Sequence, residues 1–327
     1  MIFRTLWVAG TFKSLPKPTE VHTEIIKGIV GAEDITIDQT TGIALVSSCD
    51  RRKILQDSVG KGGIYSVDFQ ASPPKVKNLT FDFNQDDFRP HGISLFIDPI
   101  DSSKWLFVVN HRQSGHYIEI FQYTDSTLLH AETIKSTLIM SPNDVVGVEK
   151  RAFYFTNDHK KPDKFSTVKD YMLIGTGSVG YFDGKKVQLL DDGIRYANGI
   201  TVSPDGKKIF VAACTDGSIN IYDREPFLKI SKIECNTGVD NLEWDAEGNL
   251  WVGAHPQLLK FAQHAKNSAS LSPSQVLKIH VSDTSNPVVE EIYINHGTPM
   301  SGSSVAAKYK DYILVGSVFD DGVMVIK

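Results

Sequence analysis

Cysteine is scarce in this 327-residue chain: Cys49, Cys214 and Cys235 lie far apart, without any Cys-x-x-Cys spacing. This pattern excludes a zinc cluster and a disulfide framework, and we expect the three thiols to be small core residues. Apolar runs of the roughly 20 residues that cross a bilayer are absent. Basic clusters are also missing, because 34 Lys and Arg residues face 39 Asp and Glu residues and the net charge is −5. Nucleic acid and a spanning membrane segment are therefore not expected.

The N-terminal segment, residues 1–10, is apolar but makes a poor secretory signal peptide. The compartment stays open: a cytoplasmic location is favoured, and the alternative is that the segment is the remnant of a membrane anchor. No Gly-x-Ser-x-Gly elbow occurs, so a serine hydrolase of the α/β type has no support. The sequence alone does not indicate an oligomeric state.

Sequence features typical of β-strands dominate the chain. Short runs rich in Val, Ile, Tyr and Phe are bounded by Gly-containing turns, and sustained helical periodicity is nearly absent, so the class is all-β. One two-part unit recurs, in which a polar pair opens an alternating strand and an aliphatic strand ending in a small residue follows. Its six copies open at Glu33, His91, Asn143, Asn198, Asp240 and Gly302, which are 42 to 62 residues apart.

This spacing is typical of a four-stranded propeller blade with loops. Because a lone blade cannot bury both of its faces, the six units are expected to form one domain. We predict an N-terminal extension over 1–28 and a single six-bladed β-propeller over 29–327, built around a central tunnel. The strand at 323–326 is expected to help close the ring by pairing within the first or last blade. A β-sandwich with accidental spacing is the alternative.

The openings of the six units should meet at one mouth of the tunnel, because the innermost strand of every blade lines it. Their side chains form an oxygen-rich ring with four carboxylates: Glu33, Asp34, His91, Asn143, Asp144, Asn198, Asp240, Asn241, Ser303 and Ser304. Crowded carboxylates repel one another, so either their pKa values rise or a cation neutralises them. Oxygen donors without cysteine and with little histidine favour Ca²⁺ over zinc and magnesium. The alternative is that these residues only cap strand ends and turns.

Two histidines of the second unit, His91 and His111, are placed to reach the same mouth. A histidine beside a metal-bound substrate is suited to activate water as a general base, and a second histidine can orient it or relay the proton. His159 and His255 hold the equivalent position after the outgoing strands of other units, and we expect them in the pocket wall. The alternative for each histidine is a structural hydrogen-bonding role.

Eight short motifs follow one another from about residue 29 to the C-terminus: Gly31–Asp34, Pro90–Ser94, Val108–His111, Ser141–Asp144, Thr156–His159, Ala197–Ile200, Val239–Asn241 and Trp251–Pro256. Together they resemble the arylesterase/paraoxonase family, within the wider gluconolactonase-like (SMP-30) propellers. The resemblance implies a six-bladed propeller holding two Ca²⁺ ions in its tunnel. It also implies hydrolysis of lactones, with aryl esters and organophosphate triesters as weaker substrates.

The resemblance also implies roles for single residues. The catalytic Ca²⁺ would be bound by Glu33, Asn143, Asn198, Asp240 and Asn241. The structural Ca²⁺ would be bound by Asp34, Asp144 and the backbone carbonyl of Ile93. His91 and His111 fall on the family's proposed histidine dyad, and which group acts as the base stays open. The expected substrate pocket includes Arg52, His159, Tyr196 and His255.

The chain departs from the animal enzymes in two ways. Its cysteines offer no partners for their disulfide, and the segment before the first unit is expected to be too short for their longer N-terminal helix, so ring closure is expected to rest on strand pairing alone. Asp50, Arg51 and Arg52 stand where the animal enzymes place an aromatic wall residue. An arginine there would favour a substrate with an anionic group, and the alternative is a solvated loop charge. Two other functions stay open: a sugar-lactone hydrolase, and a non-catalytic calcium-stabilised propeller that binds a ligand.

Overall fold

The computed structural model describes residues 6–56, 60–83, 87–124, 126–160, 174–281 and 286–327. Within these ranges, 24 strands form six separate four-stranded antiparallel sheets. Each sheet is one blade, and neighbouring blades contact one another through their first strands. The prediction of an all-β, six-bladed propeller with four-stranded blades is confirmed.

The strands of each blade are consecutive in the chain, except in the last blade. Blade 1 contains β2 (Ala32–Asp38), β3 (Ile43–Ser48), β4 (Gly63–Asp68) and β5 (Lys75–Asn78), and blade 2 contains β6 (Pro90–Ile97), β7 (Lys104–Arg112), β8 (Gly115–Tyr123) and β9 (Leu128–Ile134). Blade 3 contains β10 (Pro142–Glu149), β11 (Ala152–Asn157), β12 (Gly177–Phe182) and β13 (Val187–Ile194), and blade 4 contains β14 (Ala197–Val202), β15 (Lys208–Ala213), β16 (Ser218–Asp223) and β17 (Leu228–Glu234). Blade 5 contains β18 (Gly238–Trp244), β19 (Asn249–His255), β20 (Gln275–His280) and β21 (Val288–Ile294), and blade 6 contains β22 (Ser303–Tyr309), β23 (Tyr312–Ser317), β24 (Asp321–Ile326) and β1 (Thr23–Val30).

Helices are few and short. Helix α1 (Arg51–Leu55) follows β3, a 3₁₀ turn (Cys214–Asp216) follows β15, and helix α2 (Leu258–Lys266) is inserted between β19 and β20. None of the helices in the described part of the chain has the length and apolar character needed to cross a bilayer.

The ring closes by pairing the two ends of the chain. Strand β1 pairs antiparallel with β24, with Thr23 opposite Ile326 and Ile26 opposite Val323. The strand at 323–326 therefore lies in the last blade, and the N-terminal strand completes that blade. The predicted boundary at residue 28 falls inside β1. The sequence does not reveal this strand, because it carries no polar opening and its partner lies almost 300 residues away.

The core lies between neighbouring blades. All seven residues of β2 are buried, whereas β5, the fourth strand of the same blade, is mostly exposed. Ile35 of blade 1 shares an apolar cluster with Leu314 and Val325 of blade 6, and Phe107 of blade 2 shares one with Phe153 of blade 3. Because burial of each such side chain contributes about 1.5–3 kcal/mol, the blades stabilise one another. Of the cysteines, Cys49 and Cys214 are buried and Cys235 is half-buried, and none of the three forms a disulfide with another described residue.

Every first strand has an irregular register at its start, where the polar pair lies. The pairing with the second strand shifts at 32–34, 90–93, 142–145, 197–200, 239–242 and 303–305. A β-bulge re-aims side chains relative to a regular strand, so two consecutive polar residues can both face the tunnel. Glycine is required next to two of these openings, because a Cβ on Gly92 would collide with the carboxylate of Asp144 and one on Gly199 would collide with the backbone at Asn241.

Candidate active site

A cavity of about 320 Å³ lies at the tunnel mouth where the polar openings meet. Its polar lining comes from five blades: Glu33, His91, Asn143, Asn198, Asp240 and His255. Its apolar wall consists chiefly of Tyr196, Leu258, Phe261, Ala262, Val318 and Phe319. Glu33 and Asp240, about 200 positions apart in the chain, thus share one cavity because each lies at the start of a first strand, whereas His255 ends the second strand of blade 5.

Four buried oxygen atoms in this region have no hydrogen-bond partner within the described part of the chain: Glu33 Oε2, Asn143 Oδ1, Asn198 Oδ1 and Asn241 Oδ1. A buried acceptor without a partner costs about 1–3 kcal/mol. Nη2 of Arg51 lies 3.8 Å from Oε2 of Glu33, beyond hydrogen-bond distance, so a bound cation would offset this cost. Carboxylate and amide oxygens are the ligands that Ca²⁺ prefers. The residues of the predicted upper ion site therefore fit a hard cation.

Contacts among these residues hold the oxygen atoms in place. Asn241 donates from Nδ2 to Oε1 of Glu33 at 2.9 Å, and His255 Nε2 lies 2.8 Å from Oδ2 of Asp240. Burial raises the pKa of Glu33 from 4.5 to about 7 against the opposing effect of Arg51, and the Asp240 charge raises it further. Without a cation, the ionised Glu33 carboxylate is thus unfavourable in the folded protein.

The lower carboxylates, Asp34 and Asp144, connect neighbouring blades. Asp34 accepts from the backbone N–H of Ile93 at 2.7 Å, and Asp144 accepts from that of Ile200 at 2.7 Å. Burial raises the pKa of both carboxyls, and their mutual repulsion adds to the shift of Asp34. Glu243, which the sequence reasoning missed, has its pKa raised by burial and by the nearby Asp34.

Metal clusters made only of His, Cys, Asp and Glu are absent from the described residues. The predicted upper set differs from such a cluster because three of its five members, Asn143, Asn198 and Asn241, are asparagines. The predicted lower set likewise contains two carboxylates and the backbone carbonyl of Ile93.

The two predicted catalytic histidines contact each other. The rings of His91 and His111 are 5.0 Å apart between centroids and nearly perpendicular. His91 lines the main cavity and also a second cavity of about 310 Å³, which His111 lines with Arg51, Ile54 and other residues. Burial lowers the pKa of both histidines, that of His111 to about 3, so both rings are neutral at neutral pH.

A third histidine, missed by the sequence reasoning, extends the pair. His116 lies opposite His111 across the β7–β8 hairpin, and their Nδ1 atoms are 2.8 Å apart. Asn110, next to His111, is held by Glu119 through a 2.8 Å bond and accepts from the backbone N–H of Arg89 at 2.9 Å. These bonds join the segment before β6 to β7, and β7 to β8, beside the histidine pair.

The four predicted pocket residues separate into two groups. Tyr196 and His255 line the cavity. His159 lies behind it, with its ring 5.4 Å from that of Tyr196 and its Nδ1 2.9 Å from Asp158. Arg52 is outside the cavity lining, and its guanidinium is engaged by the carbonyls of Phe319 and His264.

Arg52 supports the cavity wall from behind. It donates to the carbonyl of Phe319 at 2.9 Å and to that of His264 at 3.1 Å, and its guanidinium lies 5.0 Å from the Phe319 ring. His264 is on helix α2 and also contacts Asp320 at 3.0 Å. Arg52 therefore ties helix α2 to blade 6, and it is neither a solvated charge nor a lining residue.

Helix α2 forms the cavity wall that the sequence reasoning did not identify. Leu258, Phe261 and Ala262 line the cavity, and the Phe261 ring stacks on His255 with centroids 3.9 Å apart. The sequence signal available was the length of the connection between β19 and β20. The wall places an aromatic surface opposite the oxygen-rich floor.

The sequence pattern of the family described as Arylesterase matches residues 16–325, nearly the whole chain. The chain belongs to the arylesterase family. Serum paraoxonase/arylesterase 2 from Rattus norvegicus is 36% identical to this family member over 310 residues, covering 91% of this chain and 86% of the rat protein. Serum paraoxonase/arylesterase 1 from Homo sapiens is 34% identical over 319 residues, covering 93% and 88%. The protein is accordingly an enzyme of the esterase/lactonase class.

Solved structures similar to this arylesterase-family chain share its fold at low sequence identity. A luciferin-regenerating enzyme matches with a TM-score of 0.59 and 15% identity, covering 94% of this chain and 95% of that one. A gluconolactonase from Xanthomonas campestris matches with a TM-score of 0.57 and 14% identity, covering 95% and 90%. These likenesses agree with the propeller architecture and bear on the fold alone.

Proposed function

We propose that this protein is a calcium-dependent hydrolase of lactones and aryl esters. The observation that carries the proposal is a set of buried oxygens without a hydrogen-bond partner among the described residues, on Glu33, Asn143 and Asn198, which line one cavity together with His91. An oxygen-rich cation site beside neutral imidazoles, under an apolar wall, has the parts needed to attack an ester carbonyl with water.

Two ions are proposed, each with its own residues. The upper ion would be held by Glu33, Asn143, Asn198, Asp240 and Asn241, and the lower ion by Asp34, Asp144 and the carbonyl of Ile93. When bound, the upper Ca²⁺ supplies Lewis-acid polarisation of the ester carbonyl. The backbone bonds that Asp34 and Asp144 accept between blades support a structural role for the lower site.

The remaining chemistry belongs to the side chains. His91 and His111 are the proposed catalytic pair, which orients the attacking water and takes up its proton. The amides of Asn143 and Asn198 would donate to the oxygen that gains charge as the carbonyl is attacked. Phe261 and Phe319 cover the cavity, exclude bulk water and pack against the apolar part of the substrate.

The cavity wall argues for an apolar, uncharged substrate. Tyr196, Leu258 and Phe261 offer apolar and aromatic surface, whereas a sugar lactone needs several polar partners for its hydroxyls. Structural similarity to a gluconolactonase keeps the sugar-lactone hydrolase as the second candidate. Organophosphate triesters, which are also uncharged and apolar, are proposed as weaker substrates.

A substrate panel tests this proposal. We expect an aliphatic δ-lactone and phenyl acetate to be hydrolysed with higher kcat/KM than gluconolactone, because only the first two bury apolar surface against the wall. An acyl-homoserine lactone measures how a polar amide next to the ring is tolerated. Preference for gluconolactone would support the second candidate. Absence of turnover on all four, with Ca²⁺ still raising the Tm, would favour the non-catalytic ligand-binding propeller.

A further inference from the structure

Arg51 has an unusual position for a charged side chain, at the junction of blades 1 and 2. It begins helix α1, and its guanidinium is almost fully engaged. Nη1 donates to the carbonyls of Gly31 at 3.1 Å and Cys49 at 3.3 Å. Nη2 donates to the carbonyl of Pro90 at 3.1 Å and lies 3.1 Å from Nδ1 of His91. The three carbonyls fix the plane and direction of the guanidinium, and little donor capacity is left for an anionic substrate.

The contact with His91 restricts the state of the imidazole. A guanidinium only donates hydrogen bonds and stays protonated in proteins. The 3.1 Å contact is therefore a hydrogen bond only when Nδ1 of His91 carries a lone pair, and in the neutral ring the proton then resides on Nε2. That Nε2 lies 3.6 Å from Oε1 of Glu33, on the side of the main cavity.

We propose that Arg51 is a positioning residue that holds His91 with Nδ1 as acceptor, so that His91 presents its Nε2–H as a hydrogen-bond donor to a substrate oxygen. With Nδ1 accepting from Arg51 and Nε2 protonated, His91 has no lone pair left, so uptake of the proton of the attacking water falls to His111, which lines the adjoining cavity with Arg51 and His91. The inference rests on the proposed hydrolysis at this cavity and deepens it. It also replaces the expected roles of this arginine as an anion-binding residue or a solvated charge.

The tautomer is tested directly by ¹⁵N NMR of the protein labelled on histidine. The His91 signals are assigned by their loss in His91→Ala. We expect an unprotonated Nδ1 and a protonated Nε2 for His91 at neutral pH, and a mixture of the two tautomers in Arg51→Ala. A protonated Nδ1 in the unmodified protein would overturn the proposal, and this readout needs no turnover.

Kinetics of Arg51→Ala test the positioning role. We expect kcat to fall about 10- to 100-fold, the range for loss of a residue that orients another, with KM little changed. Added guanidinium at millimolar concentration should restore most of the lost kcat by filling the vacated place, whereas methylammonium should not. Arg51→Lys, which keeps the charge but lacks the planar fork, should lie between the two proteins. Lys53→Ala, an exposed position on the same helix that pairs with Asp50, is the control and should leave kcat unchanged.

The outcomes separate this inference from the proposed function. If the unmodified protein hydrolyses phenyl acetate and Arg51→Ala is equally active, the inference is wrong and the hydrolase proposal stands. If Arg51→Ala loses activity without guanidinium rescue and without a change in the His91 tautomer, Arg51 has a merely structural role. If the unmodified protein turns over no ester, the proposed function fails, and the NMR result still decides the tautomer.

Discussion

Replacing Glu33 with glutamine is expected to reduce phenyl acetate hydrolysis by more than about 100-fold, because Lewis-acid catalysis by a bound metal contributes several kcal/mol. Glu33→Gln keeps the shape of the side chain and its bond with Asn241 but removes the charge that attracts the cation. Calcium affinity, measured by calorimetry, should fall in parallel with kcat/KM. Glu290→Gln, at an exposed position on β21, is the matched control and should leave both quantities unchanged.

Although Glu33→Gln is expected to weaken calcium binding and activity, it is expected to stabilise the metal-free protein against unfolding. Burial raises the pKa of Glu33 from 4.5 to about 7, so folding favours the protonated carboxyl. That stabilising contribution is complete below the unfolded pKa and is lost as pH rises through about 7. In EGTA at about pH 8, Glu33→Gln should therefore unfold at a higher temperature than the unmodified protein. A lower Tm for metal-free Glu33→Gln under these conditions would contradict the assignment of Glu33 as a buried charge awaiting a cation.

Replacing His91 with alanine is expected to lower kcat by about 100- to 10,000-fold, the range for loss of a group that handles protons or donates to the reacting oxygen. His91 is the imidazole that lines the main cavity and contacts His111, so its loss removes the link between the substrate and the rest of the histidine chain. Calcium affinity should be retained, because the proposed ligands are oxygen atoms of other residues. The measurement is steady-state hydrolysis combined with a calcium titration of the same sample.

The control for this prediction is His280→Ala, a half-exposed histidine whose partner is the exposed Glu290 at 3.3 Å. It should keep normal kcat and calcium affinity. If His91→Ala retains full kcat, the assignment of the histidine pair to the reaction is wrong. Loss of calcium binding in His91→Ala would instead place this histidine in the structure of the cation site.

The floor of the cavity could be predicted from the sequence because it depends on a repeat. Glu33, Asn143, Asn198 and Asp240 each open one copy of the same unit, and a propeller brings equivalent positions together around its axis. No single copy is informative, since Asp and Asn are common at strand ends. The prediction of the cavity floor rested on these residues holding the same position in each repeated unit, and the same repeat predicted the six sheets.

The wall of the cavity and the closing strand depend on contacts that no local pattern encodes. Helix α2 covers the cavity because its loop folds back over the mouth, and Arg52 holds it through Phe319 and His264. Arg51 could not be assigned from the sequence, because its role arises from three carbonyls and one imidazole brought together by tertiary structure. Strand β1 joins the last blade through pairing across the whole chain.

The most direct test of the account is hydrolysis of phenyl acetate before chelation, after removal of metal with EGTA, and after addition of Ca²⁺ or Mg²⁺. We expect chelation to abolish turnover and Ca²⁺, but not Mg²⁺, to restore it, because flexible carboxylate and amide oxygens suit the larger ion. Saturating Ca²⁺ should also raise the Tm, since a ligand at about 100 times its Kd stabilises the folded state by about 2.7 kcal/mol. Full turnover by protein shown to be free of metal would contradict the central claim that a cation held by Glu33, Asn143 and Asn198 is required for hydrolysis.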